Sequence, residues 1–359
     1  MNNKLWIIIA FSSSLIVFII IGIFNYKIDS LGLLKESAYD NIAKELANGK
    51  IIAGLSNFDE RIFRKKQIEY LKNDVKYVAV GSSRIMQLRK NMFLNDGIDN
   101  FQNYSVSGAS IEDYIALIQV HKNKFGKLPE NIILGLDAWI FNKNNGQNRY
   151  LSLNNEYSQF MKNLNIKEGV NQQKRSKISY LLSLDYAKEN KAYYQKYKNL
   201  KMENLQYYIV DNIAVDAALK MPDGSIFYPY KNRFPNFDEV EISAKSYAQG
   251  SVYSLEKYEE LSNIELFEKL IVYLKNNGVN IYFYLTPYNP ITYDIIMSYE
   301  KYQIIEKAEQ YLKDFSEKNN IKVIGSYNPH NYNLKNNDFF DGMHSLDIAY
   351  EIIFKDLLN

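Results

Sequence analysis

One stretch, Val75-Lys76-Tyr77-Val78-Ala79-Val80-Gly81-Ser82-Ser83-Arg84, sets the terms for the rest of the chain. It reads as a short β-branched and apolar strand that runs into a Gly-Ser-Ser turn. Residues 84–89, Arg-Ile-Met-Gln-Leu-Arg, are expected to open a helix directly after it. A strand that ends in small residues and feeds a helix is where α/β proteins place reactive groups. Unpaired N–H groups at the helix start would stabilise an anion there. A serine hydroxyl at that point is a candidate nucleophile if a neighbour takes its proton.

The pattern recurs downstream. Strands are expected at 101–106, 131–136, 279–285 and 321–324, with helices at about 110–125, 255–276 and 298–318. Ser110 with Asp113 three residues on resembles a capping box. A final helix is expected to run to Leu358. Strands alternating with helices predict an α/β fold with a doubly wound parallel sheet of about five strands. Residues 141–250, rich in Tyr, Asn and Lys, break this rhythm and show no convincing alternating unit. They read as an insertion that caps one end of the sheet.

Before the first of these strands, residues 5–24 form an almost unbroken apolar run, interrupted by Ser12-Ser13-Ser14 and Gly22. About 20 such residues cross the hydrocarbon core of a bilayer as a helix. Asn25-Tyr26-Lys27 follows with no small-x-small cleavage site, so an uncleaved single-pass anchor is expected rather than a signal peptide. Lys4 stands on one side, and Lys27, Lys35 and Lys44 on the other, so charge counting alone does not put the remaining domain outside. Residues 28–74 alternate apolar and charged positions and predict a stalk with covering helices. The division expected is therefore an anchor at 1–27, a stalk at 28–74, an α/β domain at 75–140 and 251–359, and the insertion at 141–250.

Composition removes several classes of function. The 359 residues are 47% hydrophobic, enough for a substantial core. Forty-three basic residues balance 41 acidic ones, which argues against a nucleic-acid partner held by a basic field. With no cysteine, disulfides and thiolate zinc sites are excluded. The 31 tyrosines fit a proteome-wide bias or a sugar-stacking surface.

In a parallel α/β sheet the functional groups gather beyond the carboxyl ends of the strands. Those ends deliver Ser82-Ser83, Ser107-Gly108, Asp137, Thr286-Pro287 and, after the last strand, Asp341 and His344. The chemistry they allow is acyl transfer through a serine. His344 would take the serine proton and return it. Asp341 would orient the imidazole, and the Ser83 and Gly108 amides would receive the oxyanion.

Gly81-Ser82-Ser83, Gly108, Gly135-Leu136-Asp137 and Asp341-Gly342-Met343-His344 resemble, in order and spacing, the successive blocks of the SGNH (GDSL-like) hydrolases. The resemblance covers about 75–140 and 255–359. It implies a flavodoxin-like sheet, Ser83 as nucleophile, Gly108 as an oxyanion donor, Asp341 and His344 as triad partners, and no cofactor. Two positions depart from the pattern: Ser82 stands for the usual Asp, and Asp137 for the usual Asn, and an ionised Asp is a poor oxyanion donor. With its membrane anchor and large insertion, the chain is similar to the branch that includes the D-alanyl-lipoteichoic acid biosynthesis and alginate O-acetylation proteins. That branch implies an extracytoplasmic domain at the cell membrane, an acylated cell-surface polymer as substrate, and a membrane-bound O-acyltransferase as partner.

Each residue also has a plainer reading. Ser82 is an alternative nucleophile, and Asp341 is an alternative cap for the last helix. Asp137 is either a repurposed site residue or a charge paired with Arg84 across the mouth. Arg84 would contact an anionic substrate or stay solvated in the first helical turn. Asp338, Asp341, His344 and Asp137 could together hold a metal, although their spacing matches no dedicated motif. His121 is expected at the surface and His330 in a solvated or structural loop. Phe227-Tyr228-Pro229-Tyr230 would stack on sugars or be buried in the cap.

Overall fold

The computed structural model describes residues 3–29, 34, 38–55, 58–92, 100–164, 166, 177–197 and 207–355. Its strands, in chain order, are β1 (Ile51–Ala53), β2 (Tyr77–Val80), β3 (Phe101–Asn103), β4 (Asn131–Leu136), β5 (Tyr208–Val210), β6 (Leu219–Lys220), β7 (Ile226–Phe227), β8 (Asn280–Leu285) and β9 (Lys322–Gly325). Five of them form a parallel sheet in the order β3-β2-β4-β8-β9. The chain winds outward from β2 to β3, then returns past β2 to β4 and continues to β9. This is the flavodoxin-like doubly wound order, and its switch point lies between the ends of β2 and β4.

Both faces of the sheet are buried, which is why its central strands are apolar throughout. All six residues of β4 are buried. Val78, Val80, Ile132, Leu134, Phe283 and Leu285 enter one core, while Ala79, Ile133 and Tyr284 enter the other. Alternate side chains of a strand point to opposite faces, so the sheet divides the two cores. The helices Ile111–Phe125, Ile264–Asn276 and Ile304–Lys318 supply buried residues to the first core, and Asp347–Phe354 to the second.

β1, β5, β6 and β7 build a second, antiparallel sheet in the order β5-β1-β6-β7. It joins residues 51–53, expected in a stalk, to residues 208–227, where no regular unit was expected. Strands of two or three residues are too short to leave a periodicity. The helices Ala38–Ala47 and Glu60–Tyr70 pack with them, and Ile42, Leu46, Ile52, Ile62 and Ile68 are all buried in the first core.

Several expected elements differ. Residues 84–89 form a series of tight turns and no α-helix, with Ile85 N donating to Ser82 O (3.1 Å) and Leu88 N to Ile85 O (3.0 Å). Tertiary donors occupy the carbonyls a helix would need. Asn103 Nδ2 reaches Ile85 O at 2.8 Å and Leu88 O at 3.1 Å, Ile226 N reaches Met86 O at 3.0 Å, and the Tyr350 hydroxyl binds Arg84 O. β3 spans only Phe101–Asn103, although Tyr104 N and Val106 N still donate to Ala79 O (2.7 Å) and Gly81 O (3.0 Å), and on its outer edge the Asn103 N–H bonds Asp223 O (2.8 Å). The helix expected from 255 starts at Ile264, because Ser254, Lys257 and Asn263 hold left-handed backbone. Asn142 Nδ2 also takes the carbonyls of Ser254 and Glu256. The helix expected over 298–318 starts only at Ile304 and runs to Lys318, and a separate helix that was not expected, Pro290–Met297 with Pro290 in its first turn, precedes it. The expected last turn, to Leu358, lies outside the described residues.

At the N-terminus, Asn3–Ile28 is a single helix whose stretch from Lys4 onward is long and apolar enough to span a membrane, and almost none of it is buried.

Candidate active site

Gly81 is required by its neighbours. A Cβ there would lie 2.4 Å from Ile85 Cγ2 and 3.0 Å from Gly135 O, and one at Gly135 would meet Ile85 at 2.8 Å. The two glycines let the turn after β2 fold down across the end of β4. That turn presents Ser83 outward.

Ser83 Oγ lies 2.9 Å from His344 Nε2, and His344 Nδ1 lies 2.8 Å from Asp341 Oδ2. The other Asp341 oxygen accepts the backbone N–H groups of Met343 and His344, each at 2.8 Å. One carboxylate therefore shapes its own loop and fixes the imbedded imidazole in it. Burial works to raise the Asp341 pKa, but the facing His344 and these hydrogen bonds hold it below the usual carboxylate value. The Phe340 ring lies parallel to the imidazole, 5° off, with centroids 5.3 Å apart. The last helix begins only at Asp347, so Asp341 does not cap it.

Ser82, the alternative nucleophile, is fully buried, and its hydroxyl accepts the Arg84 N–H at 3.1 Å. Arg84 is equally remote from solvent, at 1% exposure, so it is not a solvated first-turn residue. Its guanidinium donates to Met343 O (3.0 Å), Thr286 O (2.8 Å) and Asp137 Oδ1 (3.2 Å), and stacks 4.2 Å from the centre of the Tyr288 ring. Asp137 also accepts from Thr286 Oγ1 at 2.7 Å. The Arg84–Asp137 pair expected across the mouth lies beneath it. Burial pushes the Asp137 carboxyl up, against the pull of Arg84, Ser82 and Thr286.

Val106 N donates to Gly81 O at 3.0 Å, which carries the β2–β3 ladder past the strand ends to the segment that holds Gly108. Among the described residues, the amides of Ser83 and Gly108 donate to no protein acceptor. Backbone N–H groups without a protein acceptor at the ends of two neighbouring strands, one of them on Ser83 itself, fit an oxyanion site. Gly108 has φ +52°, and a Cβ on it would fall 2.1 Å from the Tyr253 hydroxyl and 2.2 Å from Arg149 Nη2. Glu60 Oε2 accepts the Ser107 N–H at 2.7 Å, while Arg61 binds Ser107 O and grips Asp113 with two 2.9 Å hydrogen bonds. These contacts fasten the Gly108 loop to the start of the helix Glu60–Tyr70.

Sequence reasoning missed Arg61, Arg149 and Tyr253 near this edge. They lie in segments read as stalk, insertion or the run before the helix expected from 255, and only the tertiary fold brings them to this edge. Of the aromatic segment, Tyr228 packs on Phe340 (4.8 Å) and its hydroxyl meets Ser83 O (3.3 Å), whereas Tyr230 is 51% exposed. His121, expected at the surface, is fully buried and bonded to the Tyr104 hydroxyl at 2.9 Å. Burial pushes its pKa down to about 4. His330 is exposed and meets Asp294 at 2.7 Å. Among the described residues, no group of three or more His, Cys, Asp or Glu is arranged to hold a metal ion.

No protein-family model matches the chain, and a search of curated proteins returns no match either.

Proposed function

We propose that the protein is a membrane-anchored, extracytoplasmic SGNH-type serine acyltransferase or esterase that acts on acyl groups of a cell-envelope glycopolymer. The observation that carries this reading is the unbroken chain Ser83 Oγ, His344, Asp341, with contacts of 2.9 and 2.8 Å. A serine paired to a base that is itself oriented by a carboxylate is the arrangement nucleophilic acyl transfer needs.

Ser83 Oγ attacks the acyl carbonyl while its proton passes to His344 Nε2. The Ser83 and Gly108 amides hold the developing oxyanion. The tetrahedral species collapses with cleavage of the ester C–O bond, and the departing oxygen takes the proton from His344. His344 then removes a proton from a sugar hydroxyl or water, which attacks the acyl-Ser83 ester and restores the free serine. Asp341 stabilises the imidazolium formed in each half-reaction. Tethering beside a lipid-phase donor favours transfer to a polymer hydroxyl, with a membrane-bound O-acyltransferase as the supplier of acyl groups.

A specific observation favours a second reading, a non-catalytic anchored polymer-binding or assembly subunit. Asp137 stands where the resembling family has an Asn, and it is committed to Arg84 below the site. Release of p-nitrophenol from p-nitrophenyl acetate by the full chain in detergent separates the two. Turnover that Ser83→Ala abolishes supports the enzyme, and equal rates in both proteins support the binding subunit.

A further inference from the structure

The end of the N-terminal helix is not a bare tether. Asn25, fully buried, donates through Nδ2 to the carbonyls of Tyr180 (3.2 Å), Leu181 (2.9 Å) and Ser183 (2.9 Å). These oxygens lie at the end of the helix Lys177–Leu181, where a helix leaves its carbonyls without internal donors. Asn190, in the following helix Leu184–Tyr197, donates to Asn25 Oδ1 at 3.1 Å. Tyr186 on that helix donates its hydroxyl to Asp29 Oδ1 at 2.7 Å. At Gly22, one turn before Asn25, the space a Cβ would occupy is 3.6 Å from both Leu181 Cγ and Leu182 Cδ2. Gly22, Asn25 and Asp29 therefore present one face to a helical pair from the insertion.

This joint fixes a level. The apolar run ends at Phe24, so Asn25 marks the edge of what hydrocarbon accepts, and Leu181 and Leu182 lie against the backbone one turn inside it. Around them Ile178 is 69% exposed, Leu182 41% and Leu184 60%. On the N-terminal helix, Ile20 and Ile23, which flank the Gly22 contact with Leu181 and Leu182, are 60% and 54% exposed. Lys191 is exposed on the second helix, as is Lys188, which pairs with Asp185 at 3.3 Å, and phosphate headgroups would meet them there.

We propose that the helices Lys177–Leu181 and Leu184–Tyr197 form a collar seated at the headgroup–hydrocarbon boundary of the bilayer, with Ile178, Leu182 and Leu184 in lipid. The inference rests on the N-terminal helix crossing a bilayer, and it holds whatever chemistry occurs at Ser83. It gives this part of the insertion to the membrane and not to the substrate.

The absence of cysteine makes the test direct. Single variants Ile178→Cys, Leu184→Cys, Val17→Cys and Lys245→Cys of the full chain are nitroxide-labelled and reconstituted in phosphatidylcholine–phosphatidylglycerol vesicles. Relaxation by oxygen is then compared with relaxation by a water-soluble nickel chelate. The collar predicts an oxygen-to-nickel ratio at 178 and 184 several-fold above that at Lys245 and below that at Val17, which lies deeper in the apolar run. A lipid-like Val17 with 178 and 184 matching Lys245 would overturn the collar and leave the anchor standing. Nickel access at Val17 itself would overturn the anchor, and the collar with it.

Discussion

Arg84 Nη1 lies 3.2 Å from Asp137 Oδ1, and neither side chain is more than 1% exposed. The pair sits at the switch point of the parallel sheet, one residue beyond the serine that meets His344. Arg84 also binds Thr286 O after β8 and Met343 O beside His344. One guanidinium thus ties the turn after β2 to the ends of β4 and β8 and to the histidine loop. Asp137 is its counter-charge, which accounts physically for an acid at this buried position.

Asp137→Asn leaves a buried guanidinium without a compensating charge. Breaking such a pair costs about 3–5 kcal/mol. Denaturant unfolding of the detergent-solubilised chain should show a correspondingly lower midpoint. An unchanged midpoint would mean that the pair does not hold the strand ends.

Gly108→Ala forces an unfavourable positive φ and drives a methyl group toward Tyr253 and Arg149. Displacing one oxyanion donor typically lowers kcat by about 10²–10³-fold. The expected result is that loss, with a stability penalty of only about 1–2 kcal/mol from the strained backbone. Full activity with an intact fold would remove Gly108 from the oxyanion site.

Asp341→Asn retains the shape of the acid but sets the wrong imidazole tautomer. In a serine–histidine–acid triad this change costs about 10⁴-fold in kcat. Ester turnover should fall on that scale while KM stays near its original value. A loss of less than tenfold would show that Asp341 only shapes the loop.

His121 makes a prediction about acid stability. Its folded pKa is depressed to about 4 from 6.5, because burial disfavours the imidazolium. Between those two values the unfolded chain binds a proton that the folded chain does not, so stability falls as pH is lowered from 6.5 towards 4. At about 1.4 kcal/mol per pH unit the full effect is on the order of 3 kcal/mol. His121→Leu should lose stability at neutral pH through the orphaned Tyr104 hydroxyl, but it should also lose this part of the acid slope. Equal slopes in the two proteins would contradict the assignment.

The strands that the sequence makes most legible are β2, β4 and β8, because burial on both faces leaves them almost wholly apolar. Ser83, Asp341 and His344 are legible together for a related reason. In a parallel sheet every strand delivers its following residue to the same edge. Residues 84–89 are misleading locally, since Arg84, Ile85, Gln87 and Arg89 all turn inward and the carbonyls of Arg84, Ile85, Met86 and Leu88 bind distant partners such as Asn103. His121 looked like a surface residue because nothing near it in the sequence announces Tyr104. β1, β5, β6 and β7 are too short to carry a pattern, and the joint between Asn25 and residues 180–190 pairs segments more than 150 positions apart.

The most direct test of the central claim is labelling of the full chain with a serine-directed fluorophosphonate, followed by mass mapping. The account predicts one modified residue, Ser83, and loss of that modification in His344→Ala. A folded protein that stays unmodified, or is modified equally in His344→Ala, would contradict a nucleophile activated by His344.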